Sequence, residues 1–147
     1  MEGTVSNPPI VSSAASSSTA SQTAGQLERE ISQKMQALYK QQLGHQPGKV
    51  SCQLFDATLV VVLEDSITQP EQLLLEKGQT KLAEQVRADL SQAMMSPVKS
   101  LIESILNVEV LDLLSDATIK TKRTGIIAVL SHTPEVRNPE AIPKIKK

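Results

Sequence analysis

Apolar residues first recur at helical spacing. Leu27, Ile31, Met35, Leu38 and Tyr39 lie three or four residues apart, which puts them on one face of an amphipathic helix. Thr23 and Gln26 supply a capping box at its start, and Gly44 a natural stop. Glu28, Arg29, Gln33, Gln36 and Lys40 form the opposite, polar face. After the loop Gly44-His45-Gln46-Pro47-Gly48 the period falls to two: Val50, Cys52 and Leu54 alternate with Ser51 and Gln53. Asp56-Ala57 marks a reversal before the β-branched run Thr58 to Leu63, so the two runs predict a β-hairpin.

The stretch from Ile67 to Asn107 then returns to helical spacing and connects this hairpin to a second one. Thr68 and Glu71 form another capping box with Pro70 in the first turn, and Gly78 is a place to break or bend. Leu82, Val86, Leu90, Ala93 and Met94 make one stripe; Val98, Leu101, Ile102, Ile105 and Leu106 make a second, about a third of a turn around the helix. Pro97 lies between them, and Ser96-Pro97 predicts a kink or a fresh helix start.

Two further apolar runs, Val108 to Leu114 and Gly125 to Ser131, flank the polar segment 116–124 and predict a second hairpin with a basic tip at Lys120, Lys122 and Arg123. The fold class expected is α+β, in the order helix, hairpin, long kinked helix, hairpin (α-β-β-α-β-β), with a four-stranded, mainly antiparallel sheet. Residues 1–24, with ten Ser or Thr and one charge, read as a disordered tail; 25–132 form a single domain; and 133–147, rich in Pro and Lys, read as an extended basic tail. Both tails are expected to be dispensable for folding.

One short helix and one long one cover one face of such a sheet more readily than two, and the second stripe is wide for a helix touching only its own sheet. The expectation is a homo-oligomer, most simply a dimer, with Val98, Ile102 and Leu106 as its candidate contacts.

Composition narrows the chemistry. The 147 residues are 39% apolar, with Tyr39 and Phe55 the only aromatics, so the core is aliphatic and base-stacking platforms are lacking, which argues against nucleic acid as a partner. Residues 1–117 hold 8 Lys/Arg against 14 Asp/Glu, whereas 118–147 hold 7 against 2. That asymmetry makes Lys120, Lys122 and Arg123 the candidate contact for an anion or a partner.

Cys52, the single cysteine, lies in phase with Val50 and Leu54, as a small core residue would. Its isolation excludes an internal disulfide and fits a reducing, cytoplasmic setting. The N-terminus lacks the charged and apolar regions of a signal peptide, and the longest clean apolar run, Leu59 to Leu63, is far short of a membrane span. His45 and His132 are far apart in sequence and stand with one cysteine, so no metal is expected. Phosphate-loop, dinucleotide and nucleophile-elbow motifs are missing, and the pairs Glu64-Asp65 and Asp112 with Asp116 sit at strand ends, where acids are usually solvated. Neither a cofactor nor an enzymatic activity is expected.

Leu27-Glu28 with Ile31, Gly44-His45-Gln46-Pro47, Leu59 to Leu63, Ile67-Thr68-Gln69-Pro70-Glu71, Arg87, and Asp116 followed by Thr124-Gly125 occur in an order and spacing that resembles the MpsC-like family of small bacterial proteins. The likeness covers about residues 25 to 131. The family was catalogued as a domain of unknown function, and its name ties it to a Na+-translocating membrane-potential-generating system. The resemblance implies a non-enzymatic cytoplasmic interaction or regulatory protein, peripheral to the membrane through a membrane-protein partner. The alternative is a regulator that binds a small ligand or anion at the basic tip.

Overall fold

The computed structural model describes residues 21–144. Most of the Ser/Thr-rich segment expected to be disordered, residues 1–20, lies outside the described residues, as do 145–147. Helix α1 (Ala24–Leu43) is followed by β1 (Lys49–Phe55) and β2 (Thr58–Glu64). Helices α2 (Gln69–Glu76) and α3 (Thr80–Leu106) come next, then β3 (Val110–Thr118), β4 (Arg123–Leu130) and a 3-10 turn at Pro139–Ala141. The class is α+β, as expected, with every strand pair antiparallel and the order β1-β2-β4-β3.

Local signals explain most boundaries. Thr23 and Gln26 close the capping box of α1, and Gly44 ends the helix at φ 73°. Asp56 takes the left-handed conformation that the tight β1–β2 turn requires. Between α2 and α3, Gly78 at φ 79° breaks the helix, so the long element is two helices. Pro97, by contrast, starts nothing new: it stands inside α3, which is continuous for 27 residues. The carbonyl that loses its partner belongs to Ala93, an exposed residue open to hydration.

The three α-helices of the described residues lie on one side of the sheet. Leu54, Leu59, Val61, Leu63, Ile126, Ala128 and Leu130 point inward to meet Leu27, Ile31 and Met35 of α1 and Met94, Val98, Ile102 and Leu106 of α3. The second α3 stripe is therefore core. The first is rotated from its expected place: Ala83 and Arg87 face inward, whereas Leu82 is 50% exposed, because Arg87 has a buried partner to reach.

Each outer strand is engaged at its edge by a helix carboxylate. Leu54 N–H donates to Glu28 Oε2 at 2.8 Å, and Val110 N–H to Glu103 Oε2 at 2.8 Å. Glu28, assigned above to the solvated face of α1, is half-buried for this reason.

The C-terminal stretch differs from the extended tail anticipated. Residues 133–144 cross the open end of the domain, where Ile142 is 2% exposed and joins the core. Asp56 N–H donates to Pro143 O at 2.7 Å, Arg137 N–H to Gln22 O at 2.8 Å, and Ala24 N–H to Asn138 Oδ1 at 2.9 Å. The last of these satisfies a first-turn donor of α1 that no helical carbonyl can reach. Prolines 134, 139 and 143 suppress periodicity without preventing burial, so a segment lacking any regular pattern still packs.

Candidate functional site

The sheet end where β2 finishes and β4 begins collects buried polar groups. Asp65, at φ 51°, turns the chain out of β2, and Ser66, Ile67 and Thr68 that follow are all buried. Thr68 caps α2, donating its N–H at 3.0 Å and its hydroxyl at 2.6 Å to Glu71 Oε2. From α3, Arg87 closes on the same carboxylate with both arms of its guanidinium: Nε to Oε1 at 2.7 Å and Nη2 to Oε2 at 2.6 Å.

Glu71 is 0% exposed and Arg87 5%. Removing two charges from water costs several kcal/mol each, which this bidentate, fully hydrogen-bonded geometry offsets. Burial alone would raise the Glu71 carboxyl, but the hydrogen bonds from Arg87 and Thr68 outweigh it and hold the group below its usual value. A carboxylate accepting four hydrogen bonds out of contact with solvent has no capacity left for general-base work. It acts as a clamp between α2 and α3.

The same cluster reaches the second hairpin. Ser66 N–H donates to Lys122 O at 2.9 Å, and the Ser66 and Thr124 hydroxyls share a 2.7 Å hydrogen bond. On the other side, His45 Nε2 lies 2.8 Å from Asp65 O, and Gly48 N–H donates to Glu64 O at 2.9 Å, fixing the α1–β1 loop to the end of β2. Beside the clamp, a groove of about 740 Å³ separates the first half of α3 from the end of β3, with Arg87 and Met95 on one wall and Asp116 and Lys120 on the other.

Lys120, Lys122 and Arg123 are all exposed. The turn is tighter than expected, however, and Arg123 begins β4, where its Nε is 2.8 Å from Glu64 Oε1. Lys122 sits at φ 62° and gives its carbonyl to Ser66. Of the three exposed cations at this hairpin end, Arg123 is thus paired with Glu64 on the neighbouring strand, and the backbone of Lys122 is fixed by the turn.

Val98, Ile102 and Leu106, the candidate oligomer contacts, are 2%, 0% and 0% exposed within a single chain. They leave a second copy nothing to touch, since the sheet and α1 already cover the arc that looked too wide. Cys52 donates its Sγ–H to Glu28 O at 2.9 Å, and burial pushes its thiol pKa up. Among the described residues no group of three or more His, Cys, Asp or Glu is arranged to hold a metal ion.

A family described as "Na+-translocating membrane potential-generating system (MpsC)" matches residues 23–132. The chain belongs to the MpsC family. No curated protein and no solved structure matches it. The stretches that carried the MpsC resemblance are scattered along the sequence, yet Gly44 to Pro47, Ile67 to Glu71, Arg87, Asp116 and Thr124 all stand at this clamped end or along its groove. No helix of the described residues in this MpsC protein is long and apolar enough to cross a membrane.

The meeting of Glu71 with Arg87 is what sequence reasoning missed. The signals available were the presence of both Glu71 and Arg87 among the stretches that carry the family resemblance, and a charged residue that could be placed on the inward side of α3 only by giving up Leu82 to solvent.

Proposed function

We propose that this MpsC protein is a non-enzymatic, cytoplasmic interaction protein. It is peripheral to a Na+-translocating, membrane-potential-generating system and works through protein contacts. The family description supports the association with such a system. The observation that carries the mode of action is the sheet face that none of the described residues covers, where Val60, Val62, Leu114, Ile127 and Val129 point away from the helices. Ile127 is 44% and Leu114 50% exposed, and contiguous apolar surface of this kind marks interaction sites.

The test compares capture by the tagged chain from detergent-solubilised native membranes with capture from soluble extract, alongside Na+-dependent membrane potential in cells lacking the chain. The expected result is a membrane component of the potential-generating system, recovered from membranes only, and a lowered potential in the deleted cells. Unchanged potential together with no membrane component would overturn the reading.

A second reading, an anion-binding regulator, has one observation in its favour: Lys120 stands on the groove opposite Arg87. A thermal-shift series with small anions tests it. Binding that weakens steeply with salt and is lost on changing Lys120, Lys122 and Arg123 to Glu would support it.

A further inference from the structure

We infer that the occupant of the uncovered sheet face is a second copy of this chain, related by a two-fold axis that runs parallel to the strands between β2 and β4. The inference rests on the reading of the chain as an interaction protein and names one partner for its face.

The strand register carries the argument. Such an axis lays β2 of one copy over β4 of the other, so outward residues that are neighbours across the β2–β4 ladder meet again, reciprocally, between copies. Val62 is the ladder partner of Gly125, and Val60 of Ile127. Gly125 has no side chain, and a Cβ built there would meet nothing within 4 Å. It floors a depression of about 250 Å³ with Val62 and Asp116 on its walls. The two-fold thus sets Val62 of each copy over the hollow at Gly125 of the other, a knob facing a hole twice over.

Charge follows the same symmetry. Glu64 and Arg123 close the β2–β4 end of the face 2.8 Å apart, and the axis stacks each carboxylate on the other copy's guanidinium. The outer strands bring no like charges together: the outward positions of β1 are Lys49, Ser51, Gln53 and Phe55, with no acid, whereas those of β3 are Asp112, Leu114, Asp116 and Thr118, with no base. The same operation places β1 over β3. Edge-to-edge pairing is disfavoured, because Glu28 and Glu103 already take up N–H groups of the two outer strands.

Size is consistent with two-fold pairing. Four strands about 4.8 Å apart, with about seven residues rising about 3.4 Å each, give a footprint near 19 by 24 Å, or roughly 900 Å² over two copies before corrugation is added. That is close to the roughly 1,000 Å² at which specific interfaces begin, so the dimer should dissociate on dilution.

The test is sedimentation of the full chain between about 1 and about 100 µM. The expected result is a concentration-dependent rise from 15.9 kDa to twice that mass. Gly125→Val fills the hole and should weaken association at least about tenfold, while a β-branched residue in an open strand position leaves the thermal midpoint of the monomer unharmed. Arg123→Glu should weaken association too, and adding Glu64→Arg should restore it.

A wild-type chain that stays at monomer mass throughout overturns the inference, as does a dimer indifferent to both Gly125→Val and Ile127→Lys. A monomer whose Ile127→Lys variant loses a membrane partner would sink the second copy yet leave the proposed function standing. A dimer in cells whose potential is independent of the chain would do the reverse.

Discussion

Arg87 grips Glu71 with two parallel hydrogen bonds of 2.7 and 2.6 Å, sixteen residues apart in sequence and both out of contact with solvent. The grip locks α2 against α3 and, through Ser66, ties both helices to the second hairpin. Its energetic significance lies in the asymmetry between keeping and breaking it, because a buried ion left alone retains the whole desolvation cost.

Removing either partner should therefore destabilise the protein by about 3–5 kcal/mol. Glu71→Ala and Arg87→Ala are the direct tests, read from urea unfolding. Arg87→Lys should also fail to restore full stability, since an ammonium cannot reproduce the two-pronged geometry. Losses below about 1 kcal/mol for both alanine variants would reduce the pair to the level of a surface contact.

The clamp also sets a pH dependence. Because the folded Glu71 carboxyl is held below its ordinary 4.5, the unfolded chain binds more protons in that window, and stability rises with pH through it. The contribution is fully present above about 4.5 and is lost as pH falls through the lower, folded value. Glu71→Gln should show a shallower loss of stability on acidification than the natural chain. Parallel slopes would mean that other carboxylates govern the acid limb.

Much of the fold was legible because periodicity and capping chemistry agree with the final packing. Thr23, Gly44, Thr68 and Gly78 mark their boundaries through effects that are local to the backbone. What was illegible depends on distant partners. Arg87 turns inward only because Glu71 waits there, which rotates the first half of α3 and leaves Leu82 in water. Pro97 reads as a helix start by local rules, and packing on both sides of it holds α3 continuous instead. The family motifs gave the right order of elements, but their convergence on one end of the sheet is a property of the topology alone.

The packed C-terminus leads to a further expectation. Truncating the chain after His132 should lower the thermal midpoint markedly, and Ile142→Ala alone should cost about 2–5 kcal/mol, the usual range for emptying a buried aliphatic site. Asn138→Ala should cost about 1 kcal/mol by stripping the first-turn donor of Ala24. If the truncated chain unfolds at the natural midpoint, the segment contributes nothing to the core it covers.

Cys52 should behave as a half-buried, neutral thiol. Its pKa is raised by burial, so the folded state favours the protonated form, and that contribution is lost as pH rises through the folded value. Alkylation of the native protein near neutral pH should be much slower than in urea, and Cys52→Ser should not change association between copies. Equal labelling rates in the folded and unfolded chain would place the thiol outside the core.

Acidic substitutions in α3 separate its two possible roles. Ile102 and Leu106 are completely buried against the sheet, so Ile102→Glu and Leu106→Glu would each place a carboxylate where no cation stands ready to pair with it. Either the charge is desolvated or the group binds a proton, and both routes cost several kcal/mol, comparable with the whole stability of a domain this size. The expected outcome is loss of the folded state by circular dichroism, with aggregation. A folded, monomeric double variant would mean instead that these positions face a second copy and that α3 packs by another face. Ile127→Lys on the outer sheet face provides the contrast, since its side chain is already in water and the folded spectrum should survive.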